Sequence, residues 1–559
     1  MSHYNSSNAP PSQGPWAGEG PNLGEKTEIH PGSAAEKAGV QYVDAEKGAL
    51  EFDAGSEQGK LQQGIKRKLK PRHLAMISIG GTIGTGLFLG SGNNIAKGGP
   101  LGALLGYMAV GLMVYCMMMA LGEMATYIPL SGSFNHYGGR FVDPALTFAL
   151  GWNYWLSWAV TLASELSAAG IIIQFWTQNV HTAVWGLIFL AMLFSLNTFG
   201  VRAYGEAEYW FSLIKVLTCI VFIIVGIVVD AGGTGDYIGG RYWRDPYSPF
   251  VNGFRGFFDG FVVAGYAFQG TEIVGVAAGE SQNPRRDVPR AIRNVFFRIL
   301  LFYILSVLMI GLCIPADDPN LLESGDPDTA SIAPFTLVFQ KAGWAVAAHI
   351  VNAVILTAVL SAGNSSLYAS SRTLCALARE GKAPRFFGKV TSWGAPILPL
   401  MFSSLIGCLC TLAAVFSSEQ VFFWLLNLTS ITGYISWAGI LGTHIRFRMA
   451  MKAQGRSLDE LPYRASLHPW ADIYGLIICL MVIFGSGYKY FDPFDVKSFF
   501  ATYIGLGLFA VFYLSYKLIK RTKVVPLRDV DLDSGRQPET EDDSEKALPW
   551  WRKMLVYIV

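Results

Sequence analysis

Gly80-Gly81-Thr82-Ile83-Gly84-Thr85-Gly86, inside the apolar run Ile77 to Leu89, is the stretch on which the fold turns. A glycine in a helix interior costs about 1 kcal/mol relative to alanine, so four of them in seven residues predict a break. In a bilayer a break leaves amides and carbonyls without partners, which is tolerated only where they are buried in protein or line a cavity. A broken span is therefore a place where a ligand can be held.

The rest of the chain reads as its membrane setting. It has 559 residues, 52% hydrophobic and 15% charged, with mean hydropathy +0.35, which lies on the membrane side of soluble composition. Apolar runs of bilayer length alternate with short polar connections. Twelve spans are expected, at roughly 75–96, 101–122, 147–176, 182–200, 209–229, 256–279, 297–315, 345–368, 399–415, 421–442, 471–490 and 499–519. The fold class is thus all-α integral membrane, a twelve-span domain over 66–520 between polar tails at 1–65 and 521–559.

Charge orients it. Lys66-Arg67-Lys68-Leu69-Lys70-Pro71-Arg72-His73 precedes the first span. Arg285, Arg286, Arg290, Arg293 and Arg298 follow the sixth, Arg372 to Lys389 the eighth, Arg446 to Arg464 the tenth, and Lys517 to Lys523 the twelfth. The loop after the seventh is acidic, with Asp317, Asp318, Glu323, Asp326 and Asp328. The positive-inside rule then puts both termini in the cytoplasm. The first tail is expected to be disordered, without a signal peptide. The closing segment, Pro549 to Val559, is too short to span and is expected at the interface or on the cytoplasmic face. Seven cysteines, all in or at the ends of apolar runs, read as buried thiols.

A second interruption lies at Phe268-Gln269-Gly270-Thr271-Glu272, in the sixth run. The two broken spans are five apart, and an odd number of crossings ends on the other side of the membrane. This is the arithmetic of an inverted repeat, 75–229 against 256–442, with 471–519 added and a midplane site between the breaks. Glycine for close helix packing is the competing reading, but packing does not ask for Thr, Gln and Glu beside it.

Intramembrane ionisable residues are functional candidates by default. Ser157, Thr161 and Glu165 are spaced i, i+4, i+8 and share one helical face. Glu165 can pair with a cationic group, carry a proton or bond a neighbouring helix. Glu272 has the same choices, with more weight on a proton or structural role. Glu123, ending the second span, is a cytoplasmic gate or packing acid. Lys215, deep in the fifth run, can exchange its proton; snorkelling to an interface is the alternative. In the tenth run Asn427, Thr429, Ser430, Thr432 and Ser436 spread around the helix. His73, His136, His181 and His444 sit near span ends, so no metal site is expected. Neither a nucleophile triad nor a Gly-Lys-Ser phosphate loop is present, which argues against an enzyme or an ATP-driven pump. No nucleic-acid partner is expected.

Gly80 to Phe88, Leu121-Gly122-Glu123-Met124-Ala125, Phe268 to Glu272 and Asn283-Pro284-Arg285-Arg286-Asp287-Val288-Pro289-Arg290-Ala291-Ile292 resemble the fungal amino acid permeases of the amino acid–polyamine–organocation superfamily. Phe268 to Glu272 and Glu165-Leu166-Ser167 are most similar to the basic amino acid permeases, for arginine and lysine. The resemblance implies a leucine-transporter-like 5+5 fold with discontinuous helices 1 and 6, and proton-coupled uptake at the plasma membrane. It implies that Tyr266 lies across the substrate as a gate and that Thr429 and Thr432 reach the pocket. Lys215 is implied to replace a coupling sodium ion, touching carbonyls near Ile79 to Gly81 and polar groups in Ser361 to Ser366. It also implies ubiquitin-driven endocytosis through tail lysines such as Lys26, Lys37, Lys47 and Lys60.

An α-amino acid needs clustered amide donors for its carboxylate and clustered acceptors for its ammonium. Half-helix ends supply both. The Gly84-Thr85-Gly86 amides with the Thr85 hydroxyl are expected to take the carboxylate. Carbonyls around Thr82 and from Tyr266 to Gln269 take the ammonium, within a site that includes Phe268, Gly270 and Thr271. No cofactor is expected beyond the coupling proton. The alternatives are a broad-range or neutral permease of the same fold, an exchanger, or a nutrient receptor.

Overall fold

The computed structural model describes residues 42–43, 50–51, 83–129, 134–198, 201–273, 284–321, 332–391 and 394–536. The chain divides into two compact units, 1–64 and 65–559. In the first, the described residues are an antiparallel pair of two-residue strands, β1 (Tyr42–Val43) and β2 (Leu50–Glu51). Lys26, Lys37, Lys47, Lys60 and the segment from Glu539 to Val559 lie outside the described residues.

In the second unit the described secondary structure is helical. It opens with α1 (Thr85–Phe88) and α2 (Gly90–Tyr127). Gly99 interrupts α2 at φ 76° and ψ 166°, with Pro100 behind it. A Cβ at Gly99 would stand 2.5 Å from the Pro249 carbonyl oxygen, so only glycine turns the chain here. α3 (Phe134–Phe141) leads to α4 (Pro144–Ile173). Then come α5 (Thr182–Thr198), α6 (Val201–Asp230) and α7 (Gly253–Phe268). α8 (Pro284–Arg298) runs through a π-helical segment, Ile299–Ile304, into α9 (Leu305–Cys313). α10 (Pro334–Lys341), α11 (Ala345–Arg379), α12 (Ile397–Gly407), α13 (Ser418–Ala453), α14 (Trp470–Gly485) and α15 (Val496–Lys520) complete the unit.

Nine helices among the described residues are long and apolar enough to cross a membrane. Three of the twelve expected runs fall outside that number. Run 182–200 forms the 17-residue α5, and run 256–279 is helical only up to Phe268, the end of the 16-residue α7. Run 75–96 is described only from Ile83.

Burial separates a central helix from peripheral ones. α4 is buried almost throughout and packs against α11, α13, α15, α5 and α12. In α6, Glu208, Ser212, Lys215, Cys219 and Phe222 are fully buried. Their spacing of i, i+4, i+7, i+11, i+14 makes one face, and Trp210, Leu217 and Ile224 stand exposed on the other. That apolar outer face suits a lipid environment.

Asp143 caps α4, accepting from the Ala145 amide at 2.9 Å, and also meets Lys517 and, at 2.8 Å, the Thr522 hydroxyl. Burial raises its pKa, but Lys517 and the Ala145 and Thr522 donors outweigh that and hold it below the ordinary carboxylate value. This contribution to stability is present above the ordinary value and is lost as pH falls through the lowered one.

The chain after α15 stays on the helical unit. The Val525 amide donates to Val142 O at 2.9 Å. Arg446 donates to the carbonyls of Phe141, at 2.7 Å, and Val525. Gln454 reaches the Leu527 and Val530 carbonyls, and Arg140 pairs with Asp531 at 3.0 Å. Val530 and Leu532 are buried. Truncation after Arg521 removes every one of these contacts except that of Arg446 with Phe141, whereas truncation after Arg536 keeps them all. The shorter chain is expected to melt several degrees lower in detergent and the longer one to match the full chain. Equal melting of the two would show that the docked segment stabilises nothing.

Candidate functional site

The two glycine-rich interruptions meet against α4. Gly84 is extended at φ −147° and ψ −151°, and α1 starts after it with no side-chain cap. On the other side α7 ends at Phe268, Gln269 is extended, and Gly270 takes φ 87°. Gly86 allows the two segments to touch: a Cβ there would lie 2.4 Å from Ala267 Cα. The Gly86 carbonyl accepts from Tyr107 at 3.0 Å.

Glu165 stands at this junction. Its Oε1 accepts from the Thr85 hydroxyl at 2.6 Å and from the Tyr266 hydroxyl at 3.0 Å. Tyr266 also lies 3.0 Å from Ser164 Oγ and 3.2 Å from Thr85 Oγ1. Oε2 of Glu165 is buried with no hydrogen-bond partner. A Cβ on Gly84 would sit 3.2 Å from Oε1, so the carboxylate lies directly against the extended residue of the first break. Thr85, Tyr266 and Glu165, drawn from three distant parts of the chain, are therefore one buried cluster. The Thr85 hydroxyl, expected to take a substrate carboxylate, here donates to the protein's own.

Gln269 and Ser157 also meet, the Gln269 amide nitrogen donating to Ser157 Oγ, while Gln269 Oε1 is buried without a partner. Thr429 Oγ1 is likewise buried and unpartnered. Other candidates point elsewhere. Thr161 returns its hydroxyl to the Ser157 carbonyl at 2.8 Å, and Thr432 bonds the Leu428 and Thr429 carbonyls of its own helix. Thr271 donates to the Phe268 carbonyl and closes the turn. The Phe268 ring packs 4.6 Å from Tyr303 and 5.9 Å from Tyr107. Thr82 lies outside the described residues.

Lys215 and Glu272 are both buried, in separate surroundings. Glu272 accepts from Trp437 Nε1 at 3.2 Å. Lys215 Nζ lies 3.7 Å from Glu208 Oε1, one turn pair back on α6, and has no hydrogen-bond partner. Glu208 Oε2 accepts from Ser361 at 2.8 Å, so the expected link from Lys215 to the Ser361 region runs through this acid. Ile79 to Gly81, the other expected neighbours of Lys215, are outside the described residues. Sequence reasoning missed Glu208 because it stands at the polar edge of an apolar run. The signal was available as Glu208, Ser212 and Lys215 at i, i+4, i+7.

A second polar network lies at the other end of α2. Glu123, fully buried, accepts from Arg448 at 2.6 Å and the Ala465 amide at 2.7 Å, and lies 3.1 Å from His444 Nε2. The other His444 nitrogen is 2.9 Å from Asp472, which also meets His468 at 2.6 Å. His444, His468 and Asp472 bring ligand-type atoms within 4.8 Å of one another and are hydrogen-bonded among themselves. From the sequence Arg448 reads only as one of the cytoplasmic charges after the tenth run, and Asp472 is not singled out.

Residues 73–527 match the amino acid permease family. The chain is 49% identical over 466 residues to the lysine-specific permease LysP of Escherichia coli (strain K12), covering 83% of this chain and 95% of that protein. It is 41% identical over 504 residues to the basic amino-acid permease of Saccharomyces cerevisiae, covering 87% and 88%. To the general amino-acid permease GAP2 of Candida albicans it is 42% identical over 509 residues, covering 88% and 86%.

Proposed function

Because the chain belongs to the amino acid permease family and is a multi-pass membrane protein rather than an enzyme, we propose that it takes up basic amino acids, lysine and arginine, at the plasma membrane together with a proton. The observation that carries this reading is Glu165, a buried carboxylate with one free oxygen, held between the first break (Thr85) and the second (Tyr266). Similarity to permeases named for lysine and for basic amino acids supports the substrate class. The fold in this reading is twelve spans with the leucine-transporter-like inverted repeat, both termini cytoplasmic.

In the proposed cycle an amino acid binds between the breaks, its carboxylate at the start of α1 and its ammonium at the carbonyls that end α7. Tyr266 closes over it, one bundle rocks against the other, and substrate and proton leave to the cytoplasm. Glu165, Lys215 and Glu272 are the candidate proton carriers. Uptake draws on the membrane potential, about 2.3 kcal/mol per charge at about 100 mV, and a cationic substrate adds a similar amount. Ubiquitin-ligase machinery acting on tail lysines belongs to the same proposal, with no cofactor beyond the proton.

A broad-range permease is the second reading, favoured by the likeness to GAP2. Competition of labelled arginine uptake by lysine, leucine, proline and glutamate separates them. Lysine is expected to compete fully and leucine weakly; equal inhibition by leucine would overturn the basic-substrate reading.

A further inference from the structure

Three ionisable side chains are buried near one another: Glu165 on α4, against Gly84 and Thr85 of the first break, and Lys215 with Glu208 on α6. Lys215 is an electrostatic neighbour of both acids. The groups facing them are few. Thr85, Tyr266 and Ser164 surround Glu165. Ser212, Ser361 and Ser365 surround Glu208, and Cys219 stands beside Lys215.

The geometry does not share Lys215 equally. Its ammonium lies 3.7 Å from Glu208 Oε1, on the same helix and held in register by the i, i+7 spacing. Ser361 fixes the other Glu208 oxygen from α11, at 2.8 Å. Glu165 Oε1 receives the Thr85 and Tyr266 hydroxyls, the Thr85 amide also faces the carboxylate, and Oε2 has no partner, so every group donating to it is neutral. One buried cation among two ionised acids leaves the group with one uncompensated negative charge, and a buried charge without its full counter-charge is costly. With Lys215 and Glu208 cancelling, the cluster keeps the one negative charge of Glu165.

We propose that Glu208 is a specificity-determining residue: by neutralising Lys215 it leaves Glu165 without a counter-charge, so the site must draw a cation from its ligand. The side chain of lysine or arginine supplies that cation, and a neutral amino acid does so only with a proton. The inference rests on the reading of the chain as a basic amino acid permease and adds the reason why a lysine so near the site does not defeat it. Glu208 acts through Lys215 and touches no substrate.

The proposal makes selectivity follow the net charge of the cluster. Glu208→Gln releases Lys215 to balance Glu165, and the cluster becomes neutral. Glu208→Gln/Lys215→Met removes both and returns it to one negative charge. The test is the ratio of lysine to leucine exchange in whole-cell counterflow, which needs no proton gradient, per unit of surface protein. The wild type is expected to favour lysine, Glu208→Gln to lose at least tenfold of that ratio, and the double variant to return within about threefold of wild type. A merely structural role for Glu208 would lower both rates and leave the ratio unchanged, which would overturn the proposal, as would a double variant as unselective as the single. Should Glu208→Gln not reach the membrane, Glu208→Ala makes the same change of charge and is held to the same standard: a tenfold loss of the ratio supports the inference and a wild-type ratio refutes it. A wild type that does not prefer lysine would instead refute the underlying substrate reading, so the two failures are distinguishable.

Discussion

Glu165→Gln is expected to lower the kcat/KM of lysine and arginine uptake by about a hundredfold or more while the protein still folds. The amide is nearly isosteric and its oxygen can still accept from Thr85 and Tyr266, the two donors that hold the carboxylate at 2.6 and 3.0 Å. What it loses is the charge that a cationic side chain would meet. Losing one member of a buried charged pair costs about 2–5 kcal/mol in binding, and about 1.4 kcal/mol is a tenfold effect. Labelled lysine uptake, normalised to surface protein and read beside thermal unfolding, checks it. Uptake within a few-fold of wild type would mean that Glu165 only ties α4 to the breaks.

The second large effect is on stability. Glu123→Gln leaves Arg448 without its buried counter-charge and weakens the contacts to His444 and the Ala465 amide, which together join α2, α13 and the segment before α14. Breaking a buried ion pair on one side costs about 3–5 kcal/mol, whereas removing both charges costs far less. The variant is therefore expected to show a sharply lower melting temperature in detergent, and Glu123→Gln/Arg448→Met to recover much of it. An unchanged melting temperature for the single variant would show that solvent reaches the network.

Both interruptions were legible because glycine and the polar residues beside it state where a helix must end. Gly84 and Gln269-Gly270 are non-helical for that reason. The face of Glu165 was legible too, from its spacing. Hydroxyl direction was not: Thr161, Thr271 and Thr432 all satisfy themselves on nearby carbonyls, a local choice that spacing does not reveal. Phe268 faces Tyr107 and Tyr303, because the last turn of α7 sets its direction. Glu208 was passed over at the edge of a run whose helix begins seven residues earlier, at Val201. The Glu123 network joins residues more than 300 apart, and no local pattern announces that.

Purified protein in liposomes, with the membrane potential clamped at zero and the outside more acidic than the lumen, offers the most direct test of proton-coupled uptake of basic amino acids. The account predicts transient accumulation of labelled lysine above its external concentration, abolished by a protonophore and by Lys215→Met. Equilibration without accumulation, unchanged by the pH gradient, would contradict it.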